Sequence, residues 1–331
     1  MDYQNQAALL EQAQSYIAHG HGAVTIDEAA IDSVASTFLM PERLPDWKDY
    51  ISAQAQEPYD LTRAAFEFAL NASQNAGYTE PSPEGVTKWE INGSGSKALT
   101  AFFREMRDKK RLPGIDLDEA GVQEQVAPML DGKVITPDLR GRKVPFAAQR
   151  LEMFKEFAKP DAMQVFADIM AAAKTATGYH FTFENTVLPL RQHFPLSFGS
   201  DPLCKKALLM PILLTANAQA HGIQATTDVL LPADYRLPVT LNKLGILNFS
   251  PEMLDVINNN AMLEQDDPRL LAIRGATLIA CDKLCHKAGF QPQQLDAALW
   301  SAAPPKAPEQ QPESFVDRLL QRPPNSYGLW I

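Results

Sequence analysis

Helix-start motifs recur along this chain, and they constrain its fold more than any other feature. Ser250-Pro251 and Asp267-Pro268 each place a capping side chain before a proline. Proline fits the first turn of a helix because its missing N–H would have no partner there. Thr25-Ile26-Asp27-Glu28 has the capping-box pattern, and Asp116-Leu117-Asp118-Glu119 supplies a further acidic helix start. The sequence therefore predicts a mainly α fold with a small β element.

The predicted helices cover most of the chain. They span residues 4–19, 25–40, 60–71, 97–111, 116–130, 145–158, 161–176, 182–193, 203–221, 234–245, 251–258, 267–288, 292–301 and 314–321. Residues 86–92 alternate apolar and polar side chains, which is the period of a half-buried strand.

The predicted domain organisation is one large body with a short C-terminal extension. We expect a single domain over residues 1–301, with any division into subdomains near the polar, turn-rich residues 131–144. Residues 302–312 are typical of an extended proline-rich linker, and 313–331 predict a last helix and an apolar tail that pack on the body.

Composition limits the partners of the protein. The 331 residues are 45% hydrophobic, enough for a large core, and the net charge of −10 opposes a grip on duplex DNA. Three cysteines are too few for a disulfide framework, and Cys281 and Cys285 lack the partners of a zinc site. No apolar run approaches membrane-spanning length. We expect a cytoplasmic monomer that binds no nucleic acid, no membrane, no metal and no other cofactor.

Asp234 is the leading candidate for chemistry. Pro238 fits the first turn of the helix that follows it, and Leu237, Leu241 and Leu244 form one apolar stripe ending at Gly245. A carboxylate at such a helix N-terminus is stabilised by unpaired N–H groups and by the macrodipole. On residue types alone, a simple helix cap is a better explanation of Asp234 than a catalytic role.

Four motifs, in the same order along the chain, resemble those of the queuosine salvage protein family. Arg150 lies where the P-x-x-x-x-R-x segment of that family has an arginine, and Lys205-Lys206-Ala207 is similar to its K-R-A segment. Ala233-Asp234-Tyr235-Arg236-Leu237-Pro238 resembles F-A-D-Y-R-L-P-Q, and Ile273-Arg274-Gly275 resembles I-R-G. The ordered matches extend over roughly residues 85–300.

The resemblance implies a reaction and a fold. The reaction is hydrolysis of the N-glycosidic bond of queuosine 5′-monophosphate, which releases the base queuine. The fold is mainly helical and similar to that of the helix-hairpin-helix DNA glycosylases. The predicted helices 234–245 and 251–258, joined by a short connection, agree with that arrangement.

The resemblance also implies roles for individual residues. Asp234 is the catalytic aspartate by position, because a carboxylate beneath the ribose stabilises an oxocarbenium-like transition state. It acts either as nucleophile or as the base that activates water, and the sequence leaves both open. Lys205 and Arg236 are expected to hold the sugar and phosphate, although a lysine extending from an amphipathic helix into solvent is an equal alternative. Asn71 is expected to read part of the base.

Three further assignments complete the predicted site. Of Tyr235 and Arg236, we expect one to reach the substrate and the other to anchor the turn. Arg274 is expected to bridge helices through an ion pair with Asp234 or another acid. No spacing identifies a second carboxylate for protonating the leaving group, so Glu67 and Glu90 are candidates of equal rank.

The part of the family pattern that reads the base is altered in this chain. Residues 68–75 correspond to a D-x-L-N-F-x-F-W segment but keep only Leu70 and Asn71. Stacking on aromatic rings contributes on the order of 1–3 kcal/mol per base, so the change predicts a remodelled base pocket. The main hypothesis is therefore an N-glycosidase for a queuosine-like, deazaguanine-type nucleoside 5′-monophosphate. Its rivals are a non-catalytic nucleotide-binding protein on the same scaffold and a DNA glycosylase.

Overall fold

The protein is mainly helical, with two small pairs of β-strands, as the sequence predicts. A computed structural model describes residues 5–37, 60–74, 102–103, 105–131, 146–234, 236–259, 263 and 266–302. The predicted strand at 86–92, the proposed boundary at 131–144 and the tail at 313–331 lie outside these residues, in the second case all but residue 131. No described helix is long and apolar enough to cross a membrane. The likeness to DNA glycosylases stays a prediction.

Helices make up most of the described chain, and short strands lie between them. The helices are α1 (Gln6–His19), α2 (Glu28–Thr37), α3 (Leu61–Gln74), α4 (Glu119–Gly121, Val122–Val126 and Ala127–Leu130), α5 (Ala147–Phe157), α6 (Ala162–Ala173), α7 (Phe183–Val187 and Leu188–His193), α8 (Lys205–Ala220), α9 (Arg236–Lys243), α10 (Pro251–Asn258), α11 (Pro268–Ala288) and α12 (Pro292–Ala302). The strands are β1 (Val24–Ile26), β2 (Gly178–Phe181), β3 (Gln224–Thr227) and β4 (Leu247–Phe249).

Capping side chains start the helices where the sequence places them, with one exception. The Ser250 hydroxyl accepts the Met253 N–H at 3.1 Å, and Asp267 accepts the Arg269 N–H at 2.8 Å. The capping box predicted from Thr25 is wrong, because Thr25 lies in β1. Asp27 caps α2 instead, accepting the Ala30 N–H at 2.9 Å.

The strands pair across long separations in sequence. Strand β1 is antiparallel to β4, and β2 is parallel to β3. In the parallel pair, Gly178 lies directly against the backbone of β3, where a Cβ atom would come within 1.9 Å of the Gln224 carbonyl oxygen. A side chain at this position would therefore separate the two strands.

Buried apolar side chains form two clusters. The first surrounds a group of phenylalanines in which the Phe157 and Phe194 rings stack with centroids 4.6 Å apart, and it includes the buried face of α8. The second includes Leu237 and Leu241 of α9, Met253 of α10 and much of α11 and α12. The candidate site lies where α8 of the first cluster meets α9 and α12 of the second.

Candidate active site

Asp234 immediately precedes α9, and its two carboxylate oxygens have different partners. Oδ1 accepts the backbone N–H of Arg236 at 3.0 Å, while Oδ2 lies 2.9 Å from the Lys205 ammonium. The Asp234 carbonyl also accepts the Leu237 N–H at 3.2 Å. The helix-cap interpretation is therefore correct for one oxygen, and the other is available for a charged partner.

Lys205 is the first residue of α8, and it is directed into the protein rather than away from it. Its side chain is 8% exposed, and that of its partner Asp234 is 16% exposed. The alternative of a lysine extending into solvent is therefore wrong. The fold brings together two predicted site residues that stand far apart in the sequence, and places them in a largely water-excluded pair.

Arg274 pairs with Asp201 and not with Asp234. Its Nη2 lies 2.7 Å and 2.9 Å from the two Asp201 carboxylate oxygens, and both side chains are nearly buried. Asp201 also accepts the N–H groups of Leu203 and Lys205, at 2.9 Å and 2.7 Å. Asp201 binds the backbone N–H of Lys205, where α8 begins. Because Arg274 holds Asp201 in place, it also helps to fix the position of Lys205. The expected bridge between helices exists, with an acid that sequence spacing did not identify.

A second buried carboxyl group, Asp296 of α12, belongs to the same group of charges. The residue is 4% exposed. The pKa of Asp296 is raised to about 7, mainly by burial and in smaller part by the nearby Asp234 carboxylate, while the Lys205 ammonium opposes the rise. Helix α12 is fastened beside α9 by a hydrogen bond from the Thr240 hydroxyl to the Leu299 carbonyl, 3.1 Å long. Asp234 and Asp296 thus have different surroundings, and Lys205 interacts electrostatically with both.

Comparison with known families identifies the segment that carries this geometry. Residues 213–313 match the family model described as queuosine salvage protein. Residues 213–313, the queuosine salvage segment, are similar to that family. The family inferred from the motifs is confirmed, and the match supports a role in queuosine salvage. A search of the curated proteins found no match to the chain.

The queuosine salvage segment contains only part of the charged group. Asp234, Arg274 and Asp296 lie within it, whereas Lys205 and Asp201 precede residue 213. The ion pairs Lys205–Asp234 and Asp201–Arg274 therefore both join the queuosine salvage segment to the chain before it.

Two more cations pack behind Lys205, at the C-terminal end of α3. The Lys206 ammonium donates to the Ser73 carbonyl at 2.7 Å, and the Arg150 guanidinium donates to the Gln74 carbonyl. Burial lowers the pKa of Lys206 to about 7 and that of Arg150 to about 9. Cations at carbonyls that end a helix are favoured by its dipole. Lys206 thus holds the end of α3 against α8, and Arg150 holds it against α5.

The remaining predicted residues divide into those outside the group and those outside the described chain. Asn71 is half-buried on α3, and among the described residues no hydrogen bond joins it to Lys205 or Asp234. Glu67 pairs with Arg107 at 3.0 Å. Arg236 is half-buried at the start of α9. Tyr235 and Glu90 lie outside the described residues.

The described part of the chain shows no cluster of three or more metal-ligating side chains. Cys281 is buried in α11 and Cys204 is buried at the residue before α8, and burial raises the pKa of the Cys204 thiol to about 12. A buried neutral thiol is a poor nucleophile. The chemistry available beside the queuosine salvage segment is that of carboxylates and ammonium groups.

Proposed function

We propose that this protein hydrolyses the N-glycosidic bond of a queuosine-like nucleoside 5′-monophosphate and releases the free base for salvage. The observation that carries the proposal is the Asp234 carboxylate, held by a backbone N–H on one oxygen and by Lys205 on the other. The family match over residues 213–313 supports the choice of a queuosine-type substrate.

The chemistry requires an anion fixed beneath the sugar. As the bond between base and ribose lengthens, positive charge develops on the anomeric carbon and the ring oxygen. A carboxylate whose orientation is already set stabilises this charge without reorganising, and then either attacks the carbon or deprotonates water. Asp234 meets this requirement because the Arg236 N–H fixes one of its oxygens.

Lys205 has a second role in this proposal. An ammonium beside Asp234 opposes the positive charge that develops on the ribose, so the ion pair should loosen when substrate binds. The substrate phosphate or a ribose hydroxyl then replaces Asp234 as a partner of the Lys205 ammonium, and Arg236 lies at the same turn. Substrate binding thus frees the Asp234 oxygen that faces the reaction.

The test is release of free base from queuosine 5′-monophosphate, followed by chromatography. Asp234→Asn should lower kcat by on the order of 10³-fold, because an amide keeps the shape but removes the charge. Asp228→Asn is the matched control, since Asp228 lies upstream on the same connection with a side chain 64% exposed, and it should keep the wild-type rate. Equal rates for Asp234→Asn and the wild type would remove Asp234 from the mechanism.

A nucleotide-binding protein without catalysis is the second candidate. It is favoured by the altered base-reading run, in which buried Ala69 and Ala72 of α3 stand near the retained Asn71. A ligand that binds only the folded state raises its unfolding temperature. A rise with queuosine 5′-monophosphate, without any release of base, would support this candidate over hydrolysis.

DNA repair, the remaining candidate, is opposed by charge. A protein that neutralises several phosphates shows binding that weakens steeply with salt, and the net charge of this chain is −10. We propose a small-molecule substrate, a monomeric protein and no nucleic-acid partner. Salt-dependent binding to duplex DNA would contradict this choice.

A further inference from the structure

Helix α12 brings a carboxyl group to the site from a part of the chain that no motif covers. Asp296 is 4% exposed, and α12 packs against both α8 and α9. Its charged neighbours are Lys205 at the start of α8 and Asp234 before α9. From α11, the thiols of Cys281 and Cys285 also face it, and burial keeps both thiols protonated at neutral pH by raising their pKa.

The three aspartates of this region have different surroundings. Asp201 has two backbone donors and an arginine, and Asp234 has one backbone donor and a lysine. Within the described residues, by contrast, no hydrogen bond reaches the Asp296 carboxyl group. A buried carboxyl without donors favours its protonated form, whereas donors favour the ionised form. Asp234 and Asp296 are therefore suited to opposite tasks at one pH.

We propose that Asp296 is the general acid that protonates the departing base, an inference that rests on the proposed hydrolysis. It supplies the second carboxyl group that the sequence could not identify, next to the carboxylate expected beneath the ribose. The two groups reach the site on different elements, Asp234 before α9 and Asp296 on α12. Retaining and inverting glycosidases both use such a pair, one acid and one carboxylate.

The proposed step conserves atoms and electrons. The bond from the anomeric carbon to the base nitrogen breaks, and its electron pair stays with the base. The proton on the Asp296 oxygen goes to the base, which leaves neutral. Water forms the new bond to the anomeric carbon. If Asp234 acts as base, it takes the water proton, and transfer of one proton from Asp234 to solvent and one from solvent to Asp296 restores the starting state. If Asp234 has attacked the carbon, water breaks the bond between that carbon and the Asp234 oxygen, and the water proton goes to the Asp296 carboxylate, which restores the starting state directly.

The experiment compares two leaving groups. Queuosine 5′-monophosphate has a base that must be protonated, whereas 4-nitrophenyl riboside 5-phosphate releases a phenolate that leaves without a proton. Asp296→Asn should lower kcat for the first by on the order of 10²–10⁴-fold and leave the second within about threefold. Asp234→Asn should slow both, because it acts on the sugar. Asp282→Asn of α11, a half-buried aspartate outside the site, is the control and should slow neither.

A measurement on the wild type tests the role of Asp296 even if the Asp296→Asn variant does not fold. For the base substrate, kcat/KM should fall above about pH 7, where Asp296 loses its proton. That alkaline decline should be absent for the nitrophenyl substrate.

Two results would overturn the role of Asp296 while leaving hydrolysis intact. One is a wild-type rate of base release in Asp296→Asn alongside an inactive Asp234→Asn. The other is an equal loss on both substrates, or an alkaline decline common to both, which would make Asp296 a structural or positioning residue. A wild type that releases neither product would overturn the proposed hydrolysis, and the proton donor with it.

Discussion

At the scale of single residues, the two oxygens of Asp234 have different partners. One is bound to the Arg236 N–H, which sets the orientation of the carboxylate, and the other is paired with Lys205. The proposed mechanism uses the second oxygen for chemistry. Asp296 differs because burial dominates its surroundings. The same type of side chain is therefore placed in two different environments within one site.

Asp296 should make the protein less stable as the pH rises from about 4 to 7. In the unfolded chain this carboxyl loses its proton near pH 4, whereas the folded protein keeps it up to a pKa of about 7. Between these values the folded state binds more protons, so the free energy of unfolding falls by up to about 1.4 kcal/mol per pH unit and is then constant. Asp296→Asn should remove this decline.

Urea unfolding of the wild type and Asp296→Asn at pH 4.5 and pH 8 measures the effect. Relative to the wild type, the variant should be about 2–4 kcal/mol more stable at pH 8 than at pH 4.5. Asp228→Asn, an exposed change, should show no such difference. A gap between variant and wild type that is equal at both pH values would mean that Asp296 is ionised throughout.

The sequence predicted those site residues that lie in short local motifs. Asp234 and Lys205 lie in short motifs, and the fold brings them together. Asp201, the partner of Arg274, and Asp296 had no such signal, because each acts through a contact between distant parts of the chain. An isolated aspartate on a helix is ordinarily exposed. Only the packing of α12 shows that this one is buried.

At the scale of elements, helices were predictable because capping and apolar spacing are local properties. Helix α11 begins after Asp267 and ends at Gly289 as the sequence indicates, and Gly289 has a φ of +69°. The strands were missed because each has three or four residues and is defined by a partner far along the chain. Thr25 was placed in a helix for that reason: its polar side chain fits a cap, and its pairing with Asn248 is not visible locally.

Gly275 should prove essential for the contact between α1 and α11. A Cβ atom there would lie 2.7 Å from the Ala13 carbonyl oxygen of α1, so alanine must separate the two helices. We expect Gly275→Ala to lower the free energy of unfolding by about 2–3 kcal/mol, measured by urea denaturation.

Gly222→Ala is the comparison for this change. Gly222 has a φ of +74° and open space around it, so alanine there meets only backbone strain and should cost about 1 kcal/mol. If Gly275→Ala cost no more than Gly222→Ala, the close approach of α1 and α11 would not be important for stability.

At the scale of the whole molecule, buried charges connect elements that belong to different apolar clusters. Lys206 and Arg150 attach the end of α3 to α8 and α5, and Arg274 attaches α11 to the turn before α8. Each of these contacts spans more than seventy residues of sequence. Apolar burial provides the larger share of stability in a chain of this size, while charged contacts fix the geometry.

Lys206 should make stability increase with pH above neutrality. The unfolded lysine keeps its proton to about pH 10.4, whereas burial lowers the folded pKa to about 7. The unfolded state therefore binds more protons between these values, and the free energy of unfolding rises with pH across that window. Lys206→Met should remove the rise, as seen by chemical denaturation at pH 7 and pH 9.

Lys159→Met is the control for the lysine change, because Lys159 is exposed and should leave the pH dependence as in the wild type. The Lys206 amine can donate to the Ser73 carbonyl in either protonation state, so the loss of this contact should lower stability at both pH values. A pH dependence in Lys206→Met equal to that of the wild type would show that Lys206 stays charged in the folded protein.

The ion pair between Asp201 and Arg274 matters for any attempt to produce the queuosine salvage segment alone. That portion starts at residue 213, in the middle of α8, so a fragment cut there begins with half a helix. The fragment would contain Arg274 without its partner Asp201, and Asp234 without its partner Lys205. The match begins inside a helix and between the partners of two ion pairs, so a fragment that keeps both pairs has to begin upstream of Asp201.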